Sequence, residues 1–334
     1  MKTIKDLATI LGVSISTVSK ALNDSKEISD STKYRVQKLA KSLNYKPNKQ
    51  ALRLKKSKTN TIGVIIPDTI NAFFAEALQG IEQYATANNY ELLISLSNES
   101  LEKEINAIKN LSQGSVDGFI IAMSREAQLK NYTQHFKEIL DRSLGLVLFD
   151  RVHDAVACDK IIVNDYHSVY EATEFLILQQ HKKNILLVSN IADLSVEKLR
   201  TKGYTDAIKA HKLKKHILNL NQEKELGQKI KKHLSGKVNI DAILSIDYIS
   251  GLIALNTVLS MGFKVPQEFT IISFGFSETL QISNNHLMLI LQNGKLIGAK
   301  SAELLIHQVE KSKPYRQTLT IPNELIIHQT YTQE

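Results

Sequence analysis

Over Ser14-Ile15-Ser16-Thr17-Val18-Ser19-Lys20-Ala21-Leu22-Asn23, hydroxyls, a branched apolar side chain and a cation recur at helical spacing. Val18, Ala21 and Leu22 make one apolar stripe, which leaves Ile15, Ser16, Ser19 and Lys20 on the outward face. Small donors and acceptors, a methyl-bearing contact and a cation are what a surface needs to address base edges in a DNA major groove. Such a helix needs a second one to hold it. Thr3 is placed to cap a helix with the stripe Ile4, Leu7, Ala8 and Leu11, Asp6 stands at its third position, and Gly12 ends it. Two short helices joined by a tight glycine turn make a helix-turn-helix pattern.

The charge distribution points the same way. Residues 1–60 carry 14 Lys and Arg against 4 Asp and Glu, while the whole chain carries 42 against 34, so residues 61–334 hold 28 against 30. A basic run by itself is also what a solvated face looks like. Concentrated on a helix-turn-helix, it reads as a surface that displaces counterions from phosphates.

Enzymatic chemistries find little support. No Gly-x-Gly-x-x-Gly follows a strand, and Ser235-Gly236-Lys237 lacks the upstream glycine of a phosphate-binding loop. His153, Asp154 and Cys158 lie close in sequence, but nothing around them would activate a thiol. His211, His216 and His233 fall in Lys-rich stretches without metal-ligand spacing. No serine sits in a Gly-x-Ser-x-Gly elbow. The chain is expected not to be an enzyme and to need no cofactor or metal.

At 334 residues there is room for two or three packed units. Met1 leads directly into the first amphipathic helix, with no charged leader and cleavage site, and no stretch approaches the ~18 apolar residues of a membrane span. A single cysteine, Cys158, excludes an internal disulfide and suits a reducing compartment. The expectation is a cytoplasmic protein with no membrane partner.

A third helix, capped by Ser29 or Asp30, carries the stripe Val36, Leu39, Ala40 and Leu43 and ends at Asn44-Tyr45-Lys46-Pro47, where the proline disfavours helix at the residue before it. Residues 49–56 have helical propensity but are too short to hold a helix alone. From Thr61 onward, apolar strand runs alternate with amphipathic helices. One series has strands at Ile62–Ile66, Leu92–Leu96, Gly118–Ala122 and Leu146–Phe149, with helices near 73–88, 101–112 and 126–141. A second has strands at Ile161–Val163, Ile185–Val188, Ile217–Leu220, Ala242–Ile246 and Thr270–Phe274, with helices near 166–180, 197–211, 223–234 and 249–261. The tail adds a helix over Gly294–Val309 and strand-like runs at Thr318–Ile321 and Leu325–Ile327. Buried strands separated by helices imply parallel sheets covered on both faces. The fold class is α/β: an all-α helix-turn-helix domain followed by two doubly wound lobes, with ligands expected at the carboxyl ends of the strands.

These residues resemble a known family. Thr3-Ile4-Lys5-Asp6-Leu7-Ala8, Gly12-Val13-Ser14, Ser16 to Asn23 and Leu43-Asn44-Tyr45-Lys46-Pro47-Asn48 are similar to the lactose- and galactose-repressor family of bacterial transcription regulators. So are Ile62-Gly63-Val64-Ile65-Ile66-Pro67-Asp68, Asn71-Ala72-Phe73-Phe74, Val116-Asp117-Gly118 and Leu148-Phe149-Asp150-Arg151. The resemblance implies a helix-turn-helix domain over 1–47, a hinge helix and linker over 48–60, and a two-lobed periplasmic-binding-protein-like effector and dimerisation domain over 61–334. It implies a homodimer on a near-palindromic double-stranded operator, with affinity controlled by a small effector, a sugar or sugar derivative. No leucine heptad follows Gln329, which favours a dimer over a dimer of dimers.

On the DNA side the resemblance assigns Thr3, Ser14, Ile15, Ser16, Thr17, Ser19, Lys20, Asn23, Tyr45, Asn48, Ala51 and Leu54. Lys20 stands where the family usually carries arginine; it either reaches a guanine edge without the bidentate fork or holds a phosphate. Thr17 and Ser19 either read bases or bond phosphates. Leu54 is implied as a wedge in the minor groove, against its plainer reading as an apolar residue in a Lys-rich linker. On the effector side it assigns Asn71, Phe73, Phe74, Asp150, Arg200, Asp247 and Gln292, a set that would fix a polar ligand by directed hydrogen bonds with an aromatic on its face. Core packing competes for the two aromatics, more so for Phe74, and Arg200 could be a surface helix residue.

The chain departs from the pattern in three places. Ser273-Phe274-Gly275-Phe276 stands where many relatives carry Gly-aromatic-Asp-Asp, Ala72 replaces a proline, and Asn164-Asp165 inverts the more frequent Asp-Asn order. Two other readings remain: a regulator of the same fold governed by a protein partner, and a solute-binding protein with no DNA role, for which residues 1–58 would have no use.

Overall fold

The computed structural model describes residues 3–45, 58–191, 193–220, 223–276, 279, 286–311 and 316–327. They divide into two compact units, Met1–Thr59 and Asn60–Glu334. The implied hinge, with Asn48, Ala51 and Leu54, lies outside the described residues.

In the first unit, α1 (Ile4–Leu11), α2 (Ile15–Leu22) and α3 (Asp30–Ser42) enclose a small core of Leu7, Ala8, Val18, Ala21, Val36 and Ala40. Local chemistry explains the boundaries. The Asp6 amide donates to Thr3 Oγ1 at 3.3 Å and the Thr3 amide donates to Asp6 Oδ2 at 2.7 Å, a reciprocal capping box. Gly12 stops α1 with φ +65, a left-handed conformation that costs glycine nothing. Ser14 Oγ accepts from the Thr17 amide at 3.0 Å and starts α2. Ser29 precedes α3 in extended conformation but makes no side-chain cap bond to it.

The second unit holds two six-stranded sheets. The strands are β1 (Thr61–Ile66), β2 (Glu91–Leu96), β3 (Gly118–Ile121), β4 (Gly145–Phe149), β5 (Asp159–Val163), β6 (Ile185–Ser189), β7 (His216–Asn219), β8 (Ala242–Ser245), β9 (Thr270–Gly275), β10 (Met288–Leu291), β11 (Thr318–Ile321) and β12 (Glu324–Ile326). The helices continue as α4 (Ala72–Ala87), α5 (Leu101–Leu111), α6 (Arg125–Leu129), α7 (Gln134–Asp141), α8 (Asp165–Leu178), α9 (Ser195–Ala210), α10 (Glu223–Leu234), α11 (Tyr248–Ser260) and α12 (Gly294–Lys311). The first sheet runs β2-β1-β3-β4-β5-β11, all parallel, and the second β7-β6-β8-β9-β10-β12, parallel except for β12. Each sheet is buried on both faces, which is why its central strands read as unbroken apolar runs.

Two expectations need correction, and the tail strands, whose pairing the sequence left open, find their sheets. Ile161–Val163, grouped above with the second series, pairs with β4 and belongs to the first sheet. The tail strands separate: β11 joins the first sheet beside β5, and β12 joins the second beside β10. The single helix near 126–141 is two, α6 and α7, interrupted where Asn131 adopts φ +52. The chain thus crosses between lobes after β5, after β10 and again after β11, since α12 packs on the first sheet's core.

Candidate functional site

On the helix-turn-helix unit, Ile15, Ser16, Lys20 and Asn23 are exposed, Ile15 at 44 %. Thr17, Ser19 and Tyr45 are half-buried instead. The Thr17 hydroxyl lies 2.8 Å from Ser14 Oγ, so part of its capacity serves the cap, as Thr3 serves α1. Asn23 Nδ2 donates to the Ser19 carbonyl at 2.9 Å. Tyr45 packs against the small core, and burial pushes its phenol up. Lys20 is paired with Glu27, a partner that periodicity alone did not suggest because Glu27 lies beyond the helix.

The second unit contains a cavity of about 530 Å³ lined from both lobes. All seven cleft residues singled out in the sequence (Asn71, Phe73, Phe74, Asp150, Arg200, Asp247 and Gln292) line it. Most follow the carboxyl ends of parallel strands: Asn71 and Phe73 after β1, Asp150 after β4, Asp247 after β8 and Gln292 after β10. Such strand ends are where doubly wound sheets bind ligands.

Their engagements differ. Asn71 caps α4, its Oδ1 accepting from the Phe73 amide at 3.1 Å. Phe74 is 1 % exposed and stands edge-on to Phe149, so its main part is core packing, while Phe73 reaches 9 %. Asp247 caps α11: Oδ1 accepts from the Ser250 amide at 2.9 Å and Oδ2 from the Asn190 amide and the Ser250 hydroxyl, both at 2.7 Å. Burial pushes its carboxyl up, opposed by those bonds. Its lone pairs are largely spent on the protein.

Arg200 is buried, not a surface helix residue. Its Nε donates to Asp165 Oδ1 and its Nη1 to the Ile246 carbonyl, both at 2.7 Å, and the guanidinium stacks 3.7 Å from the Phe274 ring centre. Gly203, one turn on, makes this possible: a β-carbon there would come 2.3 Å from the Tyr166 carbonyl, so only glycine lets α9 approach α8 closely enough. Burial pushes Asp165 up to about 6, with Arg200 pulling the other way. Asp165 is the residue sequence reasoning missed. Its one signal was the inverted Asn164-Asp165 pair, which puts the acid at the first position of α8.

Asp150 has φ +57 and a side chain only 8 % exposed. Burial raises its carboxyl. Its neighbour Arg151 instead sends Nη1 to both oxygens of Glu99 at 2.7 Å. From the second lobe, Tyr248 and Phe276 add a ring pair 4.8 Å apart. At the lobe junction Gln128 Nε2 donates to Ser195 Oγ at 2.8 Å, and the Ser195 amide donates back to Gln128 Oε1 at 3.3 Å.

The remaining reactive groups fall into structural places. Cys158 is buried and its thiol is pushed up to about 12 by burial. With its proton held far above neutrality, it is expected to stay silent to a disulfide reagent at mildly alkaline pH and to react only after denaturation; fast labelling of the native chain would contradict this burial. His153 bonds Asn131 and His211 bonds Glu174. Among the described residues no group of His, Cys, Asp and Glu is placed to hold a metal ion, and no helix is long and apolar enough to cross a membrane.

Comparison with known proteins agrees with this architecture. Residues 3–48 match the family described as bacterial regulatory proteins, lacI family. Residues 59–329 match the periplasmic binding proteins and sugar binding domain of the LacI family. The chain is 27 % identical to the HTH-type transcriptional repressor PurR of Vibrio parahaemolyticus, over 99 % of this chain and 98 % of that protein. It is likewise 27 % identical to catabolite control protein A of Staphylococcus aureus, over 97 % of each. Its fold is similar to the lac repressor dimer bound to operator and the anti-inducer ONPF, with a TM-score of 0.86, 20 % identity and 99 % of each chain covered. Of these, the Vibrio protein and the lac repressor are repressors by name, and none is named as an enzyme. The chain belongs to the LacI family, a DNA-binding transcriptional regulator with a helix-turn-helix unit and a periplasmic-binding-protein-like core.

Proposed function

We propose that the protein is a homodimeric repressor that binds a near-palindromic operator through residues 1–47, under the control of a small effector held in the interlobe cleft. The observation that carries the effector half is the convergence of seven sequence-selected residues on one cavity at the strand ends. The DNA half rests on the exposed Ile15, Ser16 and Lys20 on a capped second helix within a basic unit. Dimer formation is supported by the edge strand β2, whose Leu93, Ile94 and Leu96 are 40 to 51 % exposed, an apolar edge that a second copy would cover. Residues 48–60 act as the hinge between the units, and the protein works where the chromosome is, in the cytoplasm.

The switch follows from the lobes. A ligand held by both lobes favours one lobe orientation by its differential affinity, and the spacing of the two hinges in the dimer changes with it. The three interlobe crossings and the Gln128–Ser195 contact are the elements that such a rotation would work against.

Selection of bound duplexes from a random pool, followed by sequencing, tests the DNA half. A near-palindromic consensus is expected; enrichment of nothing would reject sequence-specific reading by the free protein. Binding to the selected duplex should also weaken steeply with salt, each displaced counterion contributing about −0.9 to the log–log slope. On that duplex, Leu54→Ala should lower affinity about 10- to 100-fold, a few kcal/mol of lost wedge insertion, while leaving random duplexes nearly unaffected. Equal losses on both would remove the wedge role.

A further inference from the structure

Two lysine runs serve neither the cleft nor the helix-turn-helix. Residues 209–215 and 229–237 each hold four lysines and no acidic residue. Residues 61–334 as a whole carry 28 basic against 30 acidic residues, so this excess is local.

The fold brings the runs together. Strands β7, β6 and β8 lie side by side in that order, all parallel. Lys214 and Lys215 lead into β7, Lys183 into β6 and Lys237 toward β8, a row whose strands are about 4.8 Å apart. α10 connects β7 to β8 and returns to the same end of the sheet with Lys231 and Lys232 in its last turn. The two runs sense one another: the imidazole of His216, at the start of β7, is pushed down by burial and then by Lys214 and His233.

The charge of this face is unspent. All six lysines are exposed. Among the described residues none of them pairs with a carboxylate, whereas Lys202 pairs with Asp206, Lys229 with Glu225 and Lys300 with Glu303. The acids nearby are occupied. Asp241 accepts from the amides of Lys183 and Asn184 at 2.8 and 3.0 Å, and Glu174 bonds His211 at 3.0 Å. Two plainer roles account for only part of the row. Lysines in the last turn of a helix complement its dipole, and lysines on an edge strand deter strand pairing. Lys183, Lys214, Lys215 and Lys237 stand in connections outside any helix, and the edge strand His216–Asn219 itself carries no lysine.

Residue type selects the partner. Protein interfaces favour arginine and aromatic residues and are depleted in lysine. Residues 209–215 and 229–237 contain no Arg, Phe, Tyr or Trp. Lysine meets phosphate as a point charge, without the directed fork of arginine. Duplex DNA offers one negative charge per about 1.7 Å of its axis, dense enough to meet cations set a strand spacing apart.

We propose that this face of the second lobe holds the phosphate backbone of a second stretch of double-stranded DNA, without reading its sequence, while the helix-turn-helix unit occupies the operator. The face lies at the amino ends of strands whose carboxyl ends border the cleft, and none of its six lysines lines the effector cavity. The two sites therefore do not compete.

The test is a capture experiment with the full-length chain. The selected operator duplex is fixed to beads and saturated with protein, and a labelled random-sequence duplex is added at low salt. Capture of the second duplex is expected, with a log–log salt slope of about −0.9 for each of about 2 to 4 phosphates met. A variant with Lys183→Gln, Lys214→Gln, Lys215→Gln, Lys231→Gln, Lys232→Gln and Lys237→Gln should keep its melting temperature and its hold on the operator. It should capture at least about tenfold less of the second duplex, as the loss of those phosphate contacts requires. Two triple variants, one at 183, 214 and 215 and one at 231, 232 and 237, should each lose part of the capture and decide the matter if the sixfold variant does not fold. No capture by the native chain, or equal capture by the variants, would overturn the inference and leave the lysines a solvated face. Displacement of the second duplex by polyglutamate as readily as by unlabelled DNA would overturn it in favour of an acidic protein partner. A native chain that does not hold the operator would instead overturn the operator reading. With random duplex then fixed to the beads, the comparison of native chain and variants still decides the inference.

Discussion

Removal of residues 1–58 is expected to abolish operator binding and leave a folded core. The first unit has its own apolar centre, Leu7, Val18, Ala21 and Val36, and its own caps at Thr3 and Ser14. The second has a buried layer on each face of each sheet, and none of those four layers draws a residue from the first unit. The sheets therefore have cores of their own to hold them. Deleting the first unit does remove the outward face of α2 and 14 of the chain's 42 basic residues, the whole of the local positive excess. Specific sites are typically bound 10³- to 10⁷-fold more tightly than random DNA, so a loss of at least about 10³ on the selected duplex is expected. Fluorescence anisotropy on that duplex, with circular-dichroism melting of the truncated chain, reads both halves. Retained operator binding, or a truncated chain that no longer melts cooperatively, would sink the division of labour between the units.

The second large effect is at Arg200. Arg200→Leu leaves the Asp165 carboxylate buried with no guanidinium, deprives the Ile246 carbonyl of its donor and removes the stack on Phe274. Breaking one side of a buried pair typically costs about 3 to 5 kcal/mol, because the surviving charge is left uncompensated. The core should melt several degrees lower, and effector-dependent stabilisation should vanish. The double variant Arg200→Leu with Asp165→Asn separates the two losses. Replacing the stranded carboxylate by an amide should restore much of the stability, since the penalty belongs to the unpaired charge, while effector binding stays lost. A single variant as stable as the native chain would mean that the pair is open to water. A double variant that also regains the ligand response would mean that Arg200 only shapes the cleft.

These two experiments address different levels of the same sequence. What the sequence determined by itself is what short-range chemistry controls. Thr3 with Asp6, Gly12 and Ser14 set the ends of α1 and the start of α2, because caps and left-handed turns involve residues at most a few positions apart. The alternation from Thr61 onward announced buried parallel strands between amphipathic helices, because burial on both faces forces an unbroken apolar run.

What only the tertiary structure decided is long-range pairing. Nothing in Ile161–Val163 says which sheet it will join; its hydrogen bonds go to β4 and, more than 150 residues away, to β11. The lobe crossings follow from the same pairings, and so does the parting of β11 from β12. In the cleft, the family resemblance assigned Asn71, Asp150, Arg200 and Gln292, and all four line the cavity; the doubly wound topology, which brings strand ends together, accounts for Asn71, Asp150 and Gln292, while Arg200 arrives from a helix. Which of these groups is already spent was not legible. Asp247 is consumed by Ser250 and Asn190, and Arg200 by Asp165, because the free donors and acceptors of a buried site depend on side chains delivered by helices distant in the chain.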